Sequence, residues 1–190
     1  MADLKITFTL SSKDVVHLRR LIRNATNAAA KEDPSSILGA AETLAKQVRG
    51  AQPPGYVLER VQKLEALVGM VQDEEYGILP AVQKKVLGAL AYFAHPTDLI
   101  PDAIPGLGFL DDAIMVELIA QDLRHELAGY HKFCDYRESA VQRPWTDVGK
   151  KRLKLLLTEK RKQIREEIRR KQARDAERSR SGGSFLKALW

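Results

Sequence analysis

Residues 5–10, Lys-Ile-Thr-Phe-Thr-Leu, alternate polar and apolar side chains, and this period of two predicts a short strand that buries Ile6, Phe8 and Leu10. Beyond it the period is helical. Ser11 or Ser12 caps a first helix, with Asp14 set against its dipole and Val15, Leu18, Leu21, Ile22 and Ala25 at helical spacing. Asp33-Pro34 restarts a helix striped by Ile37, Ala41, Leu44 and Val48, and Pro53-Pro54 breaks the chain. A third helix, from about Tyr56 to Val71, carries Val57, Val61, Leu64, Leu67 and Val68 and ends in the acidic Asp73-Glu74-Glu75. Pro80 opens a fourth, whose residues 86–94 are apolar on every side and therefore predict burial in protein or lipid. Pro96, Pro101, Pro105, Gly106 and Gly108 then make residues 95–109 an ordered turn, since no helix or central strand tolerates that density. A fifth helix is predicted from about Leu110 to about Val141. Thr146-Asp147 caps a last one, amphipathic through Leu153, Leu156, Leu157, Ile164 and Ile168 and charge-laced beyond.

The pattern predicts a mainly α protein: a multi-helix bundle with one short N-terminal strand and a long basic C-terminal helix. Its segments are a strand-helix-helix part at 1–50, a helical core at 51–143, the basic amphipathic helix at 144–180, and a flexible tail at 181–190. That tail opens with Ser181-Gly182-Gly183-Ser184 and ends in an apolar stretch holding Phe185 and Trp190.

Charge changes this picture. Over 190 residues the formal charge is +6, yet residues 1–149 hold 16 Lys/Arg against 20 Asp/Glu, whereas residues 150–180 hold 14 against 5. A mildly acidic body thus carries a strongly basic extension. Cys134 is the single cysteine, which excludes an intrachain disulfide framework, and residues 1–10 lack the basic and apolar regions of a signal peptide. Cytoplasmic location is the expectation, at most peripheral at the inner membrane.

The turn segment reads His95-Pro96-Thr97-Asp98-Leu99-Ile100-Pro101-Asp102-Ala103-Ile104-Pro105-Gly106-Leu107-Gly108-Phe109-Leu110-Asp111-Asp112. It resembles the YkvA-like family, a domain of unknown function (DUF1232), whose hallmark is an apolar helix, then P-x-D-L-I-P-D-x-I-P-x-L-G-x-L-D-D, then a second helix. Every fixed position of that pattern is matched, within residues 82–118. The resemblance implies a helical hairpin, membrane-associated in bacterial relatives, and it implies no catalytic residues. The residues themselves add a length limit. A spanning helix needs about 20 predominantly apolar residues, and the longest uncharged run, 86–97, has 12. A hairpin buried in the protein is the first expectation and an interfacial element the second.

Asp98, Asp102, Asp111 and Asp112 support three readings. Asp111 or Asp112 can cap a helix while Asp98 and Asp102 close turns beside prolines; all four carboxylates can hold Mg²⁺ or Ca²⁺; or they form a partner-facing acidic edge. Capping comes first, so no cofactor is expected. Cys134 reads as a buried thiol. The chain has no Gly-rich phosphate loop, no nucleophile triad and no zinc spacing, which favours a non-enzymatic protein over a divalent-metal enzyme at the aspartates.

The basic helix supplies the candidate interaction residues: Lys150, Lys151, Arg152, Lys154, Lys160, Arg161, Lys162, Arg165, Arg169, Arg170 and Lys171, with Trp190 beyond them. They suit an anionic membrane surface or a protein partner, and, as the alternative, nucleic-acid phosphates. The N-terminal strand followed by two capped helices looks like the ribbon-helix-helix arrangement of small DNA-binding dimers. It implies Lys5, Thr7 and Thr9 in a groove and a homodimer through the strand.

Overall fold

The structure, a computed structural model, describes residues 9–51, 53–94, 109–141 and 147–187; at 30, 147, 148, 150, 151 and 181–187 only the backbone is described. The chain is mainly helical, with seven α-helices and no strand among the described residues. They are α1 (Ser12–Ala28), α2 (Pro34–Gly50), α3 (Gly55–Gln72), α4 (Pro80–Leu90), α5 (Leu110–Asp122), α6 (Arg124–Val141) and α7 (Asp147–Lys187). The strand expected at 5–10 falls mostly outside the described residues. Thr9 and Leu10, which are described, are exposed and belong to no strand, since no strand among the described residues offers them ladder hydrogen bonds.

Local chemistry sets the helix starts. At α1, Ser11 Oγ accepts from Asp14 N at 3.3 Å and Asp14 Oδ2 accepts from Ser11 N at 2.8 Å, a reciprocal capping box. Hydrogen bonding from the side chain and backbone of Ser11 holds the Asp14 carboxyl below its ordinary pKa. Pro34 and Pro80 stand in the first turns of α2 and α4, where a missing N–H breaks no helical bond. At α3 the Pro54 carbonyl takes the first bonds, from Val57 N at 2.9 Å and Leu58 N at 3.2 Å.

Two expectations about helix ends are corrected. The single fifth helix is interrupted at Leu123, a buried turn residue. No proline or glycine marks the site; instead Arg124 Nη1 donates to the Gln121 carbonyl at 3.3 Å, a side chain entering the helical ladder. At the other end, the linker expected at 181–184 lies within α7. Propagating an established helix fixes one residue per bond, and each glycine subtracts only about 1 kcal/mol.

The chain forms two compact units, Met1–Val68 with Leu79–Ile119, and Gly69–Ile78 with Ala120–Trp190. In the first, α1 and α2 pack on α4 and on the 3-10 turn Ala91–Ala94. Its core includes Val48, Val57, Leu64, Leu67, Val86, Leu90, Met115 and Ile119. The all-round apolar stretch is thus placed in protein at Val86, Leu90, Ala91, Tyr92 and Phe93, all buried. The α1–α4 approach is close enough that Thr26 Oγ1 lies 2.6 Å from the Gly88 carbonyl. In the second unit α6 packs along α7, around Leu127, Phe133, Ala140, Leu157 and Ile164. No described helix is long and apolar enough to cross a membrane.

Candidate functional site

The basic helix α7 has an inner and an outer side. Leu157 and Ile164 are buried, with Leu153, Leu156 and Ile168 half-buried beside them. They meet α6 where it carries Gly129: a Cβ there would sit 2.6 Å from Ile168 Cδ1 and 3.0 Å from Ile164 Cγ2. The absence of a side chain lets the two helices approach.

Two of the eleven candidate cations are used inward. Arg161 Nη1 donates to the Glu75 carbonyl at 3.1 Å, and Arg165 Nη2 donates to the carbonyl of Gly77. Gly77 takes φ of 53°, the left-handed turn region that glycine enters without strain. Burial, with Arg161 close by, lowers the Arg165 pKa. The clasped loop, 73–78, packs its Tyr76 ring edge-on to Tyr130 at 5.1 Å and against Phe133 at 5.3 Å between centroids. Asp73 ties loop to helix: Oδ1 accepts from Tyr76 N at 3.0 Å, and Oδ2 from Arg137 Nη1 at 2.7 Å and Tyr130 Oη at 3.3 Å. Burial first, then the Cys134 thiol, pushes the Tyr130 phenol well above its ordinary value.

Further along α7, Gln172 Nε2 donates to Glu126 Oε1 at 3.0 Å, and Asp175 meets His125 Nε2 at 2.7 Å and the Arg124 guanidinium. His125, then Arg124, lowers the Asp175 pKa. Glu167 accepts from Lys132 at 2.6 Å and Lys171 at 2.8 Å, which bring its carboxyl down to about 2.

The candidate cations therefore divide. Lys160 holds its Nζ 5.0 Å from the Tyr136 ring centroid, Arg170 pairs with Glu166 at 3.5 Å and Lys171 with Glu167. Arg152, Lys154, Lys162 and Arg169 are exposed. Lys150 and Lys151 stand at the start of α7, where only the backbone is described, and Trp190 lies outside the described residues. Leu155, 72 % exposed, stands three residues after Arg152 and seven before Lys162, which is seven before Arg169. That spacing sets the four along one outer stripe of the helix. Glu159 and Glu166 fall on the same stripe, at steps of three and four between Leu155, Lys162 and Arg169, so basic and acidic positions alternate along it, with Glu166 engaged by Arg170.

Asp98 and Asp102 fall outside the described residues. Asp111 and Asp112 are buried in the first turn of α5. The first helical bond runs from Ala113 N to the Phe109 carbonyl at 3.0 Å, so the two aspartates occupy the second and third helical positions rather than the cap. There they still oppose the positive end of the dipole. Among the described residues no group of three His, Cys, Asp or Glu could hold a metal ion. Cys134, expected as a buried thiol, is half-buried, with Arg137 Nη2 3.8 Å from its sulfur.

Sequence reasoning passed over Asp73, Tyr130 and Arg137 because their partners are remote in the chain. For Arg161 and Arg165 a signal was present: Arg161 is four residues after Leu157 and Arg165 next to Ile164, at the edge of the apolar stripe.

The sequence profile of the family described as "Protein of unknown function (DUF1232)" matches residues 85–118. The chain is 38% identical over 77 residues to the "Uncharacterized membrane protein YkvA" of Bacillus subtilis (strain 168), covering 38% of this chain and 73% of the relative. No solved structure matches it.

Proposed function

The chain belongs to the YkvA-like, DUF1232 family, and from that premise we propose that it is a non-enzymatic module docking on an anionic membrane surface through the outer stripe of α7. The observation that carries this reading is the exposure of Leu155 between Arg152 and Lys162, with Arg169 beyond. Cations near an anionic leaflet each contribute on the order of 1 kcal/mol, and an aliphatic side chain among them adds a desolvated contact, the composition of an interfacial helix. A surface mode also reconciles two facts. The Bacillus relative bears "membrane protein" in its name, while no described helix here is long and apolar enough to cross a bilayer.

The test keeps the full chain, because deleting α7 would strip Leu157 and Ile164 from α6. Co-sedimentation with phosphatidylglycerol-containing vesicles is compared between wild type and Arg152→Gln/Lys162→Gln/Arg169→Gln. Wild-type protein is expected to bind anionic but not phosphatidylcholine vesicles, less so in high salt, and the triple variant to partition at least tenfold more weakly. Equal partitioning of the two proteins refutes the reading. Binding to duplex DNA instead, lost in the same variant, hands the stripe to the nucleic-acid alternative.

A further inference from the structure

A second cationic surface lies in the other unit. Helix α1 holds Lys13, Arg19, Arg20 and Arg23 against the single acid Asp14, and Asp14 is engaged by Ser11 in the capping box. None of its residues is buried; Val15, Leu18, Leu21 and Ile22 are half-buried. Lys13, Val16, Arg20, Arg23 and Asn27 follow one another at steps of three and four, which puts them on one side of the helix. All five are exposed, Val16 at 63 %. Arg20 Nη2 lies 2.9 Å from His17 Nδ1, a contact along the helix that leaves the stripe outward.

We infer that this face of α1 is a separate contact for an anionic phospholipid surface, with Lys13, Arg20 and Arg23 meeting headgroup phosphates and Val16 entering the interface. A duplex would satisfy the cations equally, but an aliphatic side chain in the middle of the stripe does nothing for a phosphodiester track and suits the boundary between headgroups and acyl chains. The face shares its partner with the proposed reading of α7 but none of its residues.

The same vesicle assay tests it on the full chain, with helicity and melting temperature followed alongside. Arg20→Gln/Arg23→Gln is expected to lower partitioning about tenfold or more and Val16→Asp several-fold, while Asn27→Lys, one cation added to the stripe, raises it several-fold. If these variants bind like wild type while the α7 variant has lost binding, the α1 contact is refuted and the α7 reading stands. If neither set changes anything, both fall. Loss seen only with a DNA probe overturns the choice of a bilayer.

Discussion

At Gly88 the missing side chain is what brings α4 onto α1. A Cβ there would lie 2.7 Å from Thr26 Cγ2, and Thr26, branched at Cβ and tied by Oγ1 to the Ile22 and Gly88 carbonyls at 2.9 and 2.6 Å, has little freedom to turn away. Gly88→Ala is expected to destabilise the protein by about 1–3 kcal/mol. Thr26→Ser in the same chain removes the clashing methyl and should recover part of the loss. Simple additivity of the two changes in urea denaturation would refute the contact. Tyr130 makes a pH prediction. Because burial raises its pKa from 10.0, both states carry the neutral phenol below about pH 10 and its contribution is intact. Above that value the unfolded chain ionises while the fold retains the proton, so stability falls as pH rises. Tyr130→Phe should be less stable near neutrality, having lost the bond to Asp73, yet show a flatter decline between about pH 9 and pH 11. A parallel decline in variant and wild type would count against the assignment. Phe109 holds φ of 65° while buried, a left-handed conformation costing an aromatic residue about 1–2 kcal/mol. It stands immediately before the Leu110-Asp111-Asp112 end of the family motif.

Between elements, the α6–α7 seam depends on Gly129. Gly129→Ala should cost about 1–3 kcal/mol, less than the geometry alone suggests, because the nearest atom is the mobile end of Ile168. An unchanged denaturation midpoint would show that the helices separate freely. Elements whose starts are set by neighbouring residues were legible: Ser11 with Asp14, Asp33-Pro34 and Pro80 each write a helix start within four positions. The interruption at Leu123 was not, because the apolar period runs on across it without proline or glycine. The division of labour along α7 was half legible. Composition marks a basic helix, but only the loop at 73–78 decides that Arg161 and Arg165 are fasteners and Arg152, Lys162 and Arg169 are surface.

Across the whole molecule, the basic extension read from the sequence has a counterpart it did not announce, because net charge counted over 1–149 hides the cations of α1 under the acids that follow. Each unit thus carries its own cationic helix. The units also divide the expected effects of the two glycine variants. By hydrogen exchange, Gly88→Ala should speed exchange in α1, α2 and α4, and Gly129→Ala in α6 and α7. Uniform acceleration by either would mean that the chain opens as one body. The clasp of Arg161 and Arg165 on the loop at 73–78 has a further consequence for synthesis. Every residue of the first unit precedes residue 120, so that unit can close while the C-terminal helix is still unmade. The loop carbonyls at Glu75 and Gly77 must instead wait some 86 to 88 residues for their guanidinium donors. A ribosome stalled before Arg161 would therefore display a finished first unit trailing an aromatic loop that is still wet.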